Sequence, residues 1–380
     1  MSILLLYYLP SSYTTPVFTI PLSFYRRLML SITKADTPAV PGFVPATRAA
    51  GWGRYRRGQG PNWRPQERWI MNAYIAVTDR NWFEHLRSAG ALDEVNFWQP
   101  SPGGGFHALR PGELLLFKLH RPDDFIVGGG VFSHRTRLRV SLAWEAFGIS
   151  NGAEGLPEMR ARIERYRRLR SALHEDYEIG CILLQEPFFF SRDEWLRVPA
   201  WHANIVRGKT YDLTIEPGRT LWQEVQERLR MRAFHQEMAS GEIPRPDKRY
   251  GEPVAVLPRL GQGSFKVMVQ DAYRRKCAVT GEKALPVLQA AHIRPYAEGG
   301  EHRVDNGLLL RSDLHILFDR GYVTVTPEYR MEVSRRLRTD FDNGEEYLAR
   351  HGSRIWVPDS LAARPKPEFL EWHNERRYIG

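Results

Sequence analysis

The chain has 380 residues, two cysteines and a formal charge of +10. That length suits two or three domains with real cores, and two cysteines exclude a disulfide framework and point to a reducing, cytoplasmic setting. The charge suggests a nucleic-acid partner, but nine Lys/Arg against Asp36 and Glu67 put +7 into residues 1–70, leaving 10 − 7 = +3 for the rest, so bulk charge alone does not argue for DNA.

Residues 1–70 are rich in Pro, Gly, Ser and Thr and lack periodicity. The apolar run Ile3 to Leu9 is too short to span a membrane, and no basic region precedes it as a secretory signal requires. Arg54 to Arg68 reads either as a basic arm for DNA phosphates or as part of an upstream extension, with Met71 as the natural start.

From Met71 to about Tyr211 the chain is strand-rich and aromatic. Tyr74 to Thr78 alternates as a strand, Asn81 opens a short helix, and Val95 to Pro100 leads into a loop at Gly103 to Gly105. Strands follow at Leu114 to Leu119, at Phe125 to Phe132 and around Ile179 to Glu186; glycines in the second suggest a tight barrel bend. Phe188 to Phe190 and Trp195 are expected on the outer edge of that barrel. The arginine-rich helix Glu158 to Leu173 reads as a solvated face, with a phosphate-contacting face as the alternative.

Gly218 to Met238 predicts one amphipathic helix with Leu221, Val225, Leu229 and Met231 or Ala233 inward. Residues 241–258 read as a linker. The run from Gly261 to Lys266 lacks the tail of a P-loop, so it reads as the turn into a helix over Ser264 to Arg275.

The segment from Arg274 to Pro327 carries the chemistry. Leu285 to Ile293 predicts a buried strand ended by Pro295, Tyr296 to Asp305 a loop, and Gly307 to Leu310 a second strand. Ser312 stands where an N-cap opens a helix to about Asp319, Gly321 closes it, and Tyr322 starts another strand. His315 and Asp319, at i and i+4, share a helix face and can hold a divalent metal. His292, on the neighbouring strand, could deprotonate a water aimed at a phosphate. Each histidine alone would read as an ordinary half-buried residue; the joint spacing argues otherwise. Beyond this segment, Arg335 to Tyr347 is charged and helical, and the tail from Lys366 predicts a final helix. His373-Asn374 in that tail reads as a coincidental echo of the His and Asn upstream.

This strand–loop–strand–helix segment, with A-A-H-I-R-P, D-N-G-L-L-L and D-L-H-I-L-F-D-R-G, resembles the core of HNH nucleases, the ββα-metal finger. The resemblance implies that His292 is the general base, that Asn306 braces the loop carrying it, and that His315 is a metal ligand, with Asp319 at a second helix-ligand position. Many such proteins have Asp or His before the general base. Here Ala291 stands there, which leaves the ligand set open. A divalent ion is implied, Mg²⁺ first, with Mn²⁺ or Ni²⁺ as alternatives. No paired C-x-x-C motif is present, so no structural zinc is expected, and Cys277 reads as a core residue. Lys266, Arg274, Arg275 and Arg294 are candidates for phosphate contacts.

The first strands, with N-F-W-Q-P, P-G-E-L-L-L-F-K and I-V-G-G-G-V-F, resemble the opening of PUA/EVE/ASCH-type barrels. That resemblance implies a pocket for a base swung out of the duplex, which in related domains often separates modified from plain cytosine. A flipped base needs aromatic faces and a few polar groups. Trp82, Phe97, Trp98 and Phe106 are the candidate walls and Asn96 and Gln99 the candidate readers, against the competing reading that the rings fill a small barrel.

The expected fold is therefore α+β: a basic extension (1–70), a PUA-like β-barrel that recognises DNA (71–215), a helix and linker (216–258), and a ββα-metal nuclease domain (259–380). The expected function is a cytoplasmic, metal-dependent DNA endonuclease of a restriction system, acting on double-stranded and cytosine-modified DNA without membrane association. A homodimer is left open. The alternatives are an HNH nuclease acting on plain DNA and a catalytically silent nucleic-acid-binding protein.

Overall fold

A computed structural model of the chain describes residues 71–102, 106–167, 175–240 and 261–380, without the side chains of 233–240. The residue 1–70 extension, the Gly103 to Gly105 loop, Arg168, Arg170 and the 241–258 linker lie outside the described residues.

The first half is built on one mixed sheet: β1 (Asn72–Thr78), β2 (Glu94–Gln99), β3 (Leu114–Leu119), β4 (Phe125–Arg139), β5 (Glu178–Phe189), β6 (Leu196–Arg197) and β7 (Gly208–Asp212). Its order is β2-β5-β4-β3-β1-β7, with β6 paired to β4, and only β1 and β3 run parallel. Period-two alternation gives the sheet two apolar faces. Ala73, Ile75, Leu114 and Leu116 pack on Leu221, Trp222, Val225 and Leu229 of α4 (Gly218–Ser240). Ala76, Leu115, Phe117 and Leu119 pack on Trp82, Phe83 and Leu86 of α1 (Arg80–Ser88), whose first turn is capped by Asp79. The remaining helices, α2 (Val140–Phe147) and α3 (Leu156–Tyr166), cover the far ends of β4 and β5.

The expected barrel does not close, because β2 and β7 remain separate edges of the sheet. Glycines do shape β4 as anticipated. A Cβ on Gly128 would lie 2.2 Å from the Phe188 carbonyl oxygen, and one on Gly129 2.7 Å from that of Leu115. Register shifts beside them bend the strand. Three other expectations need correction. Phe188 to Phe190 are core residues, since β5 has neighbours on both sides and alternate rings feed both faces. Met231 is 55% exposed, two residues past Leu229 and therefore on the opposite side of α4. The arginine-rich helix is a solvated face only in part: Arg165 is exposed, whereas Arg160 donates to the Glu175 carbonyl (2.8 Å), buried Arg162 to Glu158 (2.6 Å), and Arg167, just past the helix, to the Pro100 carbonyl (2.9 Å).

Helix α5 (Gln262–Ala272) joins the two halves. Val267 is buried among α2, α3 and β5, whereas Phe265, Val269 and Tyr273 belong to the second core. The Glu94 carboxylate, from β2, accepts from the amides of Gly263 (2.7 Å) and Ser264 (2.9 Å), so the sheet caps the helix. Burial raises that carboxyl above the usual range despite the two amide bonds. Lys266 pairs with Glu145 (2.6 Å), Asp271 with His134 (2.9 Å), and Arg275 donates to the Arg137 carbonyl (2.8 Å).

The second half carries the expected ββα unit: β8 (Leu288–His292), β9 (Gly307–Arg311) and α6 (Ser312–Asp319). β8 starts three residues later than expected, because Leu285–Val287, with Pro286, forms a 3-10 turn. Ser312 is the first helical residue and Arg311 the cap. The antiparallel pair β10 (Val323–Val325) and β11 (Met331–Val333) follows. The charged helical stretch from Arg335 to Tyr347 forms two short helices, α7 (Arg336–Phe341) and α8 (Glu345–Leu348), separated where Asp342 and Gly344 adopt left-handed conformations. The last helix, α9 (Pro367–Arg376), packs Leu370 and His373 inward, and Cys277 is a core residue at 2% exposure. No helix among the described residues is long and apolar enough to cross a membrane.

Candidate active site

A cavity of about 730 Å³ opens between α5, β8, α6 and α9, and His292, His315 and Asp319 all line it. His292 ends β8, and its ring is stacked on Phe265 of α5 (3.9 Å between centroids, 11°). Its Nε2 lies 2.9 Å from Nδ1 of His302. Burial, with smaller contributions from His302 and His315, holds its pKa down to about 4, so the ring is uncharged at neutral pH. An anionic phosphate brought alongside would favour the charged form.

Asn306 does not touch the cavity. It is fully buried, with Oδ1 accepting from the Arg294 amide (2.9 Å) and Nδ2 donating to the carbonyls of Arg294 (2.9 Å) and Glu301 (3.0 Å). Those bonds tie both ends of the loop after His292 to the start of β9.

His315 and Asp319 share a face of α6, with His315 Nε2 3.3 Å from Asp319 Oδ2. Gln289, which the sequence reading did not single out, accepts from Nδ1 of His315 (2.7 Å). A proton held on Nδ1 leaves Nε2 as a lone pair facing a carboxylate oxygen, an arrangement that a cation reconciles. The donor set therefore fits a divalent ion, although two protein ligands would leave most of its shell to water and substrate. Among the described residues no cluster of three His, Cys, Asp or Glu side chains is poised on a metal.

Of the four phosphate-contact candidates, Lys266 lines this cavity. Arg274 pairs with Asp359 near Trp356, Arg275 joins the two halves, and Arg294 lies over Trp372 and donates to the Glu298 carbonyl (2.7 Å). Arg377 and Tyr296, which sequence reasoning missed, line the cavity as well.

His373, set aside above as an echo, also reaches this cavity wall while remaining 2% exposed. Its ring stacks on Phe318 (3.7 Å), and Nε2 is 3.1 Å from the Phe318 carbonyl. Because a carbonyl only accepts, Nε2 holds the proton, and Nδ1 faces the Thr324 hydroxyl at 2.8 Å. Burial lowers this imidazole from 6.5 to about 4. The unfolded chain then binds more protons throughout that window. Stability present above pH 6.5 is lost as the pH falls toward 4, by about 2 kcal/mol at pH 5. Urea unfolding at pH 7.5 and pH 5 should show the wild type losing about 2 kcal/mol more than His373→Gln. Equal losses would contradict this account.

A second cavity, of about 760 Å³, lies on the sheet half and is lined by Trp82, Phe97, Trp98, Gln99 and Phe106 among others. Trp98 is fixed by donating from Nε1 to the Asn151 carbonyl (3.0 Å), and Phe106 meets Tyr74 edge-on (5.0 Å). Trp82 is only 2% exposed, packed edge-on against Phe97 and Phe117, so most of that ring is core. Asn96 is not brought to the cavity. It is fully buried, and its amide donates to Asn151 Oδ1 (2.9 Å) and to the Cys181 sulfur (3.4 Å). Asp79, His120 and Tyr166 complete the wall; the Tyr166 hydroxyl donates to Asp79 (2.8 Å), and no local pattern marked them.

The HNH endonuclease family matches residues 277–326, the segment that holds His292, Asn306, His315 and Asp319. Among solved structures, ASCH from Zymomonas mobilis is 10% identical and covers 40% of this chain and 92% of its own, with a TM-score of 0.26. A point mutant of the Zymomonas mobilis ASCH protein is 8% identical, over 42% and 95%, with a TM-score of 0.25. The modification dependent TagI restriction endonuclease is 12% identical over 76% of each chain, with a TM-score of 0.23. No curated protein matches the chain. With the strand pair, the helix and their side chains in place, residues 277–326 are an HNH endonuclease domain.

Proposed function

We propose that this protein is a metal-dependent DNA endonuclease of a restriction system, in which the open sheet half (71–215) reads the duplex and the HNH half (259–380) cuts it. The observation that carries the reading is one cavity shared by His292, His315, Asp319 and Lys266. His292, neutral and stacked on Phe265, takes the proton of a water whose oxygen bonds to phosphorus as the bond to the leaving sugar oxygen breaks. Asn306 holds the loop behind it. Lys266 and Arg377, paired in the free protein with Glu145 and Glu298, would exchange those carboxylates for the flanking phosphates. His315 and Asp319 would hold the divalent ion, Mg²⁺ before Mn²⁺ or Ni²⁺, with Gln289 fixing the His315 tautomer. Such an ion, when bound, supplies charge stabilisation at the phosphate and leaving oxygen.

The second cavity supports recognition of a flipped base, with modified cytosine as its substrate. Its volume suits a small ligand, Phe97, Trp98 and Phe106 offer ring faces, and Gln99 offers an amide for the pairing edge. The test uses matched plasmids carrying plain, 5-methyl- or 5-hydroxymethyl-cytosine, incubated with Mg²⁺ or Mn²⁺. Cleavage of modified DNA alone is expected. Equal cleavage of all three would overturn the reading half and leave the nuclease, and binding without cleavage in any metal would overturn the nuclease.

A further inference from the structure

His292 cannot serve as a base unless the ring nitrogen facing the cavity is the unprotonated one. Stacking on Phe265 fixes the plane of the ring but is indifferent to where its proton sits. The tautomer is set by the hydrogen bond at Nε2, whose partner is Nδ1 of His302 at 2.9 Å. Nδ1 of His292 has no hydrogen-bond partner among the described residues. His292 lines the cavity and His302 does not, so the Nε2 edge of His292 is committed to a residue outside the cavity wall and Nδ1 is the nitrogen left for the cleft.

Two arrangements satisfy this contact. In one, His292 carries its proton on Nε2 and donates it to an unprotonated Nδ1 of His302. In the other, His302 donates from Nδ1 and leaves His292 with its proton on Nδ1, where it cannot accept another. The first places both rings in the Nε2–H form that a free histidine side chain prefers; the second requires the less favoured form of both. Burial disfavours charge on each ring, so a single shared donor is the expected state.

We propose that His302 is the positioning residue for His292: its Nδ1 accepts the Nε2 proton of His292 and so keeps the His292 Nδ1 lone pair open to the cavity. His302 is itself held for this role. Tyr296 stacks on its ring (4.7 Å, 13°). On one side the Glu301 carbonyl is bound by Asn306, and on the other Arg303 is paired with Asp305 (2.6 Å). Asn306 thus reaches His292 from two directions, through the Arg294 backbone and through the loop that presents His302.

The proposal rests on His292 being the base, so its test includes a readout that needs no cleavage. In the full chain with ¹⁵N-labelled histidine, long-range ¹H–¹⁵N spectra should show His292 protonated at Nε2 and bare at Nδ1. A bare Nε2 with a protonated Nδ1 would overturn the proposal. His302→Phe keeps an aromatic ring beside Tyr296 and removes the acceptor, whereas His302→Asn puts an amide oxygen near the position of Nδ1. Expected is a fall in single-turnover cleavage of roughly 10–100-fold for the Phe variant, with DNA affinity unchanged, and recovery to within a few-fold in the Asn variant. A Phe variant that cleaves like the wild type would also overturn it. Should the wild type cleave nothing with any metal, the nuclease reading fails, and the spectra still decide what His302 does.

Discussion

His292→Ala is expected to lower single-turnover cleavage by about 10²–10⁴-fold, equivalent to roughly 3–5 kcal/mol of barrier, while DNA affinity stays within a few-fold. The asymmetry follows from the geometry. His292 contributes a neutral ring to the cavity wall and makes its hydrogen bond to His302, so its removal takes a proton acceptor from the reaction and no cation from DNA binding. Lys266, His315 and Asp319 remain where they are, and residual cleavage should come from them and from hydroxide already present in the solvent. The substitution leaves one face of the buried Phe265 ring without its stacking partner, so a melting curve must accompany the rates. A variant that melts like the wild type and cleaves within threefold of it would remove His292 from the chemistry.

Asn306→Ala should cost about 3–5 kcal/mol of stability, a large part of the 5–15 kcal/mol that holds a typical domain together. Its buried side chain satisfies one amide and two carbonyls, and alanine would strip the Arg294 amide and carbonyl of these bonds and leave the Glu301 carbonyl with the Arg303 amide alone. Asn306→Asp is the sharper variant. It keeps the size and the acceptor for the Arg294 amide, but it turns an oxygen toward the carbonyls of Arg294 and Glu301, where Nδ2 had donated to both. Both variants should therefore unfold at lower urea and cleave poorly, and aspartate should be no rescue. An Asp variant with wild-type stability would show that the two donated bonds do not hold the loop.

The parts of this architecture that could be read from sequence are those whose logic is local. The ββα unit occupies one continuous stretch. Its strand, loop and helix signals adjoin the candidate site residues, and the structure brings His292, His315 and Asp319 to one wall. His302, ten residues after His292 (302 − 292 = 10), sits in a polar loop with no periodicity to mark it. Gln289 carries no titratable group to attract notice. His373 arrives from α9 and Arg377 from its C-cap, and only packing brings that helix to the site. Asn96 shares its strand face with Trp98, and no sequence pattern tells that Asn151 holds its amide in the core while the Trp98 ring reaches the cavity. In the sheet, likewise, the glycines of β4 were read correctly as a bend but could not say whether the edges meet.

The helix between the halves also bears on how such proteins can be recombined. A sheet half and an HNH half suggest cassettes that evolution, or an engineer, could exchange freely. Here the HNH half borrows the cap of its first helix from Glu94 and seats Val267 in the other half's interior, and Gly263 passes so close to Ala146 that a Cβ would lie 2.4 Å from its carbonyl oxygen. A graft that kept only the ββα unit would start with bare amides and a stranded valine. A transplant that works has to carry the seam as well: a carboxylate where Glu94 stands, an apolar socket for position 267, and glycine at 263.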